Sequence, residues 1–158
     1  MNGFEGLMHG FALAITPKNL LFCFLGTFLG TMIGVLPGLG PAATISLLLP
    51  MTYVLGSPIT SIIMMAGIYY GGMYGGSTTS ILLNIPGESA SVVTCIDGHQ
   101  MAKQGRAGAA LGIAAIGSFV AGTVGVIGLT CIAPPLSRFA LQFGPAEHAS
   151  LTILGLML

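Results

Sequence analysis

The chain has 158 residues, of which 54% are hydrophobic and only 5% are charged. Soluble domains carry about 25% charged residues, so this composition excludes an ordinary water-soluble surface and predicts a protein embedded in a lipid bilayer. The formal net charge is zero and the few basic residues form no patch, which argues against a nucleic-acid partner.

The N-terminal residues 4–15 place apolar side chains at helical spacing, with Glu5 and His9 on the other side. This pattern predicts an amphipathic helix within residues 1–16 that lies in the membrane interface. Glycines in the same stretch weaken a helix, so a flexible terminus is the alternative.

Four helix starts share one pattern, a capping residue followed by proline in the first helical position. They are Thr16-Pro17, Gly40-Pro41, Ser57-Pro58 and Gly144-Pro145. They predict helices over about residues 18–36, 41–55 and 58–75, and a last helix from residue 145. The second helix is shorter than the roughly 20 residues that a membrane span needs. Residues 17–55 therefore form either a hairpin that enters and leaves on one side, or a full span followed by a short return helix.

Two of these helices carry glycines spaced four residues apart on one face. They are Gly26, Gly30 and Gly34 in the first helix, and Gly67, Gly71 and Gly75 in the third. Small residues at this spacing let helix backbones approach closely in a membrane, and we interpret both faces as packing surfaces.

A break at Gly34–Pro41 interrupts a stretch from Asn19 to Gly87 that has no charged residue. Its prolines and glycines cannot continue a helix. Broken backbone in a bilayer is tolerated only against protein or a water-filled cavity, and many secondary transporters build their sites from such breaks. Free amides at the start of the next helix attract anions, and unwound carbonyls attract cations. The predicted substrate contacts are Gly38, Gly40, Ala42, Ala43 and Thr44, and the predicted cation ligands are Leu36 and Gly38.

A second irregular region is predicted at Gly75–Ser91, where hydroxyl side chains precede an Asn-Ile-Pro-Gly-Glu sequence. Hydroxyl and amide oxygens suit a hard cation, and their hydrogens suit carboxylate oxygens. The predicted substrate contacts here are Ser77, Thr78, Thr79 and Asn84, and the predicted cation ligands are Ser80 and Asn84. Serine and threonine also bond their own helix backbone, which is the alternative. Glu88 either serves a transport pathway or lies at the membrane interface.

A plain turn between two spans is the alternative to a binding site at the Gly34–Pro41 break. Two substitutions test for a binding site. Alanine at Gly40 is expected to crowd the turn, and alanine at Asn84 to remove an oxygen ligand. If the breaks form a transport site, each substitution is expected to weaken substrate uptake.

The C-terminal part of the chain is predicted to contain one loop and two membrane segments. Asp97, Lys103 and Arg106 form a charge cluster in a predicted loop at residues 94–106, which the positive-inside rule places in the cytoplasm. Residues 57–93 before it hold the third helix and the irregular region. Residues 107–132 are predicted to span the membrane and to end at a proline pair, and residues 145–158 to begin a truncated helix. We therefore expect the chain to be a fragment.

Enzyme signatures are missing from the sequence. The histidines, His9, His99 and His148, lie near predicted helix ends or loops, and no Gly-x-Ser-x-Gly or His-Glu-x-x-His motif is present. Cys23, Cys95 and Cys131 are too far apart in sequence for a CxxC motif. We expect no catalytic residues, no metal site and no cofactor.

Three stretches together resemble one family. They are Gly-Val-Leu-Pro-Gly-Leu-Gly-Pro at 34–41, Tyr-Tyr-Gly-Gly-Met-Tyr-Gly-Gly-Ser-Thr-Thr-Ser-Ile-Leu-Leu-Asn-Ile-Pro-Gly-Glu at 69–88, and Asp-Gly-His-Gln-Met-Ala-Lys-Gln-Gly-Arg-Ala-Gly-Ala-Ala-Leu at 97–111. They are similar to the large membrane subunit of tripartite tricarboxylate transporters, the TctA family. One departure is His99, where that family's pattern has an aromatic residue such as tyrosine.

This resemblance implies an all-α polytopic membrane protein of the bacterial inner membrane, a secondary carrier for citrate-like or other carboxylates. It implies coupling to a gradient of Na⁺ or H⁺. It also implies two partners, a small membrane subunit and a periplasmic solute-binding protein. Family members are longer and have two related halves, so this chain is similar to the N-terminal portion. A channel-like subunit or a membrane scaffold without transport activity is the alternative function.

Overall fold

The computed structural model describes residues 3–140 and 143–157, and within these ranges all regular secondary structure is helical. This confirms the all-α prediction. The helices are α1 (Gly3–Ala14), α2 (Pro17–Gly34), α3 (Pro41–Tyr53), α4 (Pro58–Leu83), a 3₁₀ turn (Ser89–Ser91), α5 (Val92–Lys103), α6 (Ala107–Ala140) and α7 (Pro145–Met157). The chain divides into two units, Met1–Ala115 and Ile116–Leu158.

The predicted helix starts are confirmed, because α2, α3 and α4 each begin with a proline at the first helical positions. At α4 the Ser57 side chain also caps the helix and accepts a hydrogen bond from the Thr60 amide at 3.5 Å. At α2 the Thr16 hydroxyl instead donates backward to the Leu13 carbonyl at 2.8 Å. The Thr16 side chain therefore caps the C-terminal end of α1 and not the N-terminal end of α2, which begins with Pro17.

The glycine faces of α2 and α4 pack against each other, backbone to backbone. A Cβ atom added at Gly67 would lie 2.6 Å from the carbonyl oxygen of Cys23, and one added at Gly75 would lie 2.6 Å from that of Thr31. The reciprocal glycines of α2 meet the α4 backbone in the same way, Gly26 at Met64, Gly30 at Ile68 and Gly34 at Gly72. The packing interpretation is confirmed, and any side chain at these positions would force the two helices apart.

The core of the first unit lies where α3 covers this helix pair. Leu48 of α3 packs with Met64 and Ile68 of α4. At one end of the pair, the buried Asn19 side chain accepts a hydrogen bond from the Thr60 hydroxyl and donates one to the Leu13 carbonyl, both at 2.8 Å. Buried polar groups require such partners, so this network ties α1, α2 and α4 together.

Irregular backbone is confined to a shorter segment than Gly75–Ser91, so that prediction is wrong for residues 75–83. Helix α4 continues to Leu83, and only residues 84–88, here called the exit loop, separate it from the 3₁₀ turn. The reason is that the hydroxyls donate to carbonyls of the preceding turn, Thr78 to Tyr74 at 2.9 Å and Ser80 to Gly76 at 2.9 Å. The polar side chains are therefore satisfied within the helix and do not interrupt it.

The expected loop at 94–106 is also wrong in its secondary structure, because α5 occupies most of it. Gly98 allows α5 to lie against α4, since a Cβ there would come within 2.8 Å of the Ile81 side chain. His99, the departure from the family pattern, places its Nδ1 3.0 Å from the Ile81 carbonyl oxygen. Contacts with α4 thus stabilise α5 as a helix, although its amino-acid composition is typical of a loop.

In the second unit, α6 continues past its proline pair to Ala140 instead of ending near residue 132. Its threonine hydroxyls, Thr123 and Thr130, donate to carbonyls four residues earlier at 2.8 Å. The sequence also predicts a connection at residues 136–143, but residues 136–140 are helical and residues 141–142 lie outside the described residues. Helix α7 begins at Pro145 as predicted.

Within the described ranges, one helical stretch, Ala107–Ala133, is by itself long and apolar enough to cross a membrane, with a mean hydropathy of 2.0. Glu5–Ala14 and Pro17–Gly34 pass the same test as a pair bent by 72°, which fits a broken span or a re-entrant loop. Helix α4 is long enough at 26 residues but is not among them, because its glycines and hydroxyls lower its hydropathy.

Candidate functional site

Helix α4 has a second glycine face, formed by Gly72 and Gly76. The Gly34–Pro41 break and the exit loop both pack against this face. A Cβ atom at Gly72 would lie 3.4 Å from the Cα of Pro41, at the start of α3. One helical turn later, a Cβ atom at Gly76 would lie 3.5 Å from the Cα of Gly87 in the exit loop. Both segments therefore lie directly on the α4 backbone, one turn apart.

This arrangement brings the Gly34–Pro41 break and the exit loop side by side. A Cβ atom on Gly40 would lie 3.8 Å from the Cβ of Glu88. That distance is an ordinary van der Waals contact, and the Gly40 backbone (φ −65°, ψ 172°) is accessible to alanine. The expected crowding by alanine at Gly40 is therefore wrong. Gly38 differs, because its φ of +86° favours glycine.

A cavity of about 620 Å³ lies between the two segments, within the size range of small-molecule sites. The break contributes Gly38 and Gly40 and the start of α3 contributes Pro41 and Ala42, while α4 contributes Tyr69 and Met73, and residues 86–90 with Val92 complete the lining. The cavity thus lies between two segments that are about 45 residues apart in sequence. Each of them was predicted separately from the sequence as part of a binding site.

The first turn of α3 has two unpaired amides, and one of them, at Ala42, belongs to a residue that lines the cavity. Pro41 has no N–H, and the Ala42 and Ala43 amides have no hydrogen-bond acceptor among the described residues. Thr44 is different, because its amide and its hydroxyl both donate to the Gly40 carbonyl at 3.1 Å. Two amides at the positive end of the helix, and not three, are therefore available to an anion.

Glu88 is the one side chain with a full charge among the described residues that line the cavity. It begins the 3₁₀ turn, where its amide donates to the Ser91 hydroxyl at 3.2 Å and its carbonyl accepts from that hydroxyl at 2.9 Å. Its side chain also accepts from the Ser91 amide, which completes a capping box. Partial burial raises the pKa of the Glu88 carboxyl, because desolvation disfavours the charged form.

Comparison with known proteins adds to this geometry. The sequence matches the family described as "Tripartite tricarboxylate transporter TctA family" over residues 20–158. The chain belongs to the TctA family. It is also 56% identical over 157 residues to an "Uncharacterized 52.8 kDa protein in TAR-I ttuC' 3'region" from Agrobacterium vitis. That alignment covers 99% of this chain and 31% of the relative, so the chain spans about a third of that protein's length. No solved structure matches.

TctA is a family of transporter proteins, and the match confirms the family that the three motifs indicated. Two of the three motif segments, at 34–41 and 69–88, supply most of the residues described at the cavity.

Not all of the predicted site residues of this TctA chain lie at the cavity. Gly38, Gly40 and Ala42 line it. The remaining predicted residues are absent from its described lining: Leu36, Ala43, Thr44, Ser77, Thr78, Thr79, Ser80 and Asn84. The Thr79 hydroxyl is buried and donates to the carbonyls of Gly75 and Gly76 at 3.2 and 3.0 Å. These positions favour the alternative of self-bonded hydroxyls.

Asn84 ends α4 in the left-handed conformation, with φ 58° and ψ 29°, and is exposed. Asparagine tolerates this conformation better than other residues that have a Cβ atom. The left-handed backbone at the end of α4 is therefore sufficient to explain an asparagine at position 84, and Asn84 does not have to be a ligand.

Gly72 and Gly76, on which the two irregular segments of this TctA chain lie, were not predicted as site residues from the sequence. The signal was present in the doubled pattern Gly-Gly-Met-Tyr-Gly-Gly at 71–76. Single glycines four residues apart open one helix face, whereas glycine pairs at that spacing open two adjacent faces. Gly71 and Gly75 face α2, while Gly72 and Gly76 face the start of α3 and the exit loop.

Proposed function

We propose that this TctA chain is the N-terminal part of the membrane subunit of an ion-gradient-driven secondary transporter for tricarboxylates or related carboxylates. The observation that carries the proposal is the cavity formed where the Gly34–Pro41 break meets the exit loop, in a chain of a transporter family. Transporters of this kind bind substrate where helices are interrupted, because the interruption frees backbone groups for binding.

The carboxylate is held without a cationic side chain, since no lysine, arginine or histidine is among the described lining residues. The donors available to it are the Ala42 amide, on a residue that lines the cavity, and the Ala43 amide that follows in the same turn at the positive end of α3. A hydrogen bond to a charged group contributes about 1.5–3 kcal/mol, so two amides hold a multivalent anion only weakly. A coupling cation, Na⁺ or H⁺, supplies the missing positive charge, and this makes substrate binding depend on the ion gradient.

The cation shares the site with the substrate. The Gly38 carbonyl accepts no hydrogen bond from the described residues and belongs to the cavity lining, so it is available to a cation. The original assignments of Leu36, Ser80 and Asn84 as further ion ligands remain predictions that their positions do not favour.

The proposed setting is the bacterial inner membrane, with several helices crossing the bilayer. Helix α1 lies in the interface, and Lys103 and Arg106 lie on the cytoplasmic side. The proposed partners are a small membrane subunit and a periplasmic solute-binding protein, which deliver the carboxylate to the complete subunit.

The test measures uptake of radiolabelled citrate by the complete subunit, expressed with its partners. It compares two variants with substitutions at neighbouring positions. Ala42→Leu fills the cavity that Ala42 lines, while Ala43→Leu places the same side chain in the same helical turn on a residue that does not line the cavity. Both substitutions keep the backbone amides in place. We expect Ala42→Leu to lower uptake by about tenfold or more, at equal membrane abundance, and Ala43→Leu to retain most of it. Equal uptake in the two variants would show that the cavity is not the substrate site.

A further inference from the structure

Glu88 occupies a fixed position at the contact between the two irregular segments. Gly87 lies on the α4 backbone at Gly76, and a Cβ added at Gly76 would lie 3.8 Å from the Glu88 carboxyl carbon. On its other side, a Cβ added at Gly40 would lie 3.8 Å from the Glu88 Cβ, so the two residues are separated by about the width of one methyl group. The capping box with Ser91 fixes the backbone at this residue. Glu88 therefore lies at the cavity between α4, the Gly34–Pro41 break and the 3₁₀ turn.

Among the described residues that line the cavity around Glu88, none has a cationic side chain. Tyr69 of α4 is the other titratable side chain in the described lining, and the Gly34–Pro41 break and the first turn of α3 contribute none. Helix α5 packs on the 3₁₀ turn and on α4, and its titratable residues are Cys95, Asp97, His99 and Lys103. None of these four residues lines the cavity, and the His99 ring is hydrogen-bonded to the Ile81 carbonyl of α4.

A charged Glu88 conflicts with an anionic substrate in the same cavity. Two like charges a few ångströms apart repel each other, and near a protein surface this repulsion is similar in size to the stabilisation that two amide donors provide. Like charges also disfavour each other's ionised forms, so a bound carboxylate favours a neutral Glu88. The same carboxyl group would, when ionised, repel the substrate and promote its release.

We propose that Glu88 takes up a proton when the carboxylate substrate binds and releases it when the substrate leaves, and so couples substrate to proton movement. This inference rests on the proposed function, since it requires a carboxylate in this cavity. A proton neutralises a single carboxyl group without further ligands. A Na⁺ site requires several oxygen ligands, and apart from the Gly38 carbonyl the residues described at the cavity offer side-chain oxygens only from Tyr69, Glu88 and Ser89. The raised pKa of the carboxyl group favours the same ion.

The test is citrate binding by the complete purified subunit as a function of pH, for the wild type and for Glu88→Gln. Glutamine has the shape of protonated glutamate and can still accept the capping hydrogen bond from Ser91, so the 3₁₀ turn is preserved. We expect wild-type affinity to fall by up to tenfold for each pH unit above the Glu88 pKa, and Glu88→Gln to lose this dependence. Citrate's own ionisation affects both proteins equally, so the difference between them isolates Glu88.

Three outcomes would overturn the inference. If the wild type and Glu88→Gln show the same pH dependence, Glu88 is not the coupling group, although the proposed function still stands. If wild-type affinity depends on Na⁺ at constant pH and that dependence disappears in Glu88→Gln, the neutralising ion is Na⁺. If the folded wild type binds no citrate at any pH, the proposed tricarboxylate function fails together with the inference. Glu88→Asp, which keeps the charge, should retain a pH dependence and separates loss of charge from general damage.

Discussion

The contact between Gly76 and Gly87 predicts opposite effects for the same substitution on its two sides. A Cβ added at Gly87 would overlap the Gly76 Cα and would lie 3.2 Å from both the Gly76 carbonyl carbon and its oxygen. These are backbone atoms of α4, so no rotation of a side chain relieves the overlap, and the exit loop must move away. Overpacking of this kind costs about 1–3 kcal/mol. Gly87→Ala should therefore lower stability and displace Glu88 from the cavity.

Gly76→Ala is the matched control. Its Cβ would lie 3.5 Å from the Gly87 Cα, which is normal contact, and alanine is favoured over glycine inside a helix by about 1 kcal/mol. Thermal unfolding in detergent, followed by circular dichroism, measures both variants. A chain of this size changes Tm by about 2–4 °C for each kcal/mol, so Gly87→Ala should be lower by several degrees and Gly76→Ala should be unchanged or higher. A Gly87→Ala variant as stable as wild type, or a Gly76→Ala variant equally damaged, would refute the described contact.

Three further predictions concern the helix end, the buried network and the topology. At Asn84, glycine should preserve the left-handed helix end and normal uptake, whereas alanine should cost about 1–2 kcal/mol in stability; if glycine also abolishes uptake at full stability, Asn84 is a ligand. Thr60→Val should cost about 1–3 kcal/mol in a denaturant titration because it leaves the buried Asn19 oxygen without its donor, and Thr60→Ser should retain most of the stability. Lys103→Cys, in a background without the native cysteines, should be shielded from impermeant thiol reagents in intact cells, and ready labelling would reverse the proposed orientation.

Local chemistry predicted the helix starts and the first break. Proline after a capping residue marked α2, α3, α4 and α7, since proline's ring fits the first helical position and its missing amide costs nothing there. The Gly34–Pro41 break was equally clear, because prolines and glycines together leave the helix no means of continuing. The glycine spacing in α2 and α4 indicated packing faces, although not that the two faces would contact each other.

The cavity and the second segment could not be predicted with the same success, because they depend on contacts between distant residues. Thr78 and Ser80 read as possible ligands, and only the folded helix shows their hydroxyls bonded one turn back. The polar composition of α5 concealed a helix that its contacts with Ile81 stabilise. Glu88 was recognised as either functional or interfacial, and its place beside Gly40 follows only from the seating of both segments on α4.

The central claim is that a carboxylate occupies the cavity between the break and the exit loop, and substrate protection tests it most directly. Ala90 and Val93 are both exposed and lie three residues apart, but only Ala90 is in the described lining. Each is replaced with cysteine in a complete subunit that lacks the native cysteines, and the alkylation rate is measured with and without citrate. The account predicts that citrate slows labelling at Ala90→Cys and leaves Val93→Cys unchanged. Equal labelling of Ala90→Cys with and without citrate, in protein shown to transport it, would contradict the account.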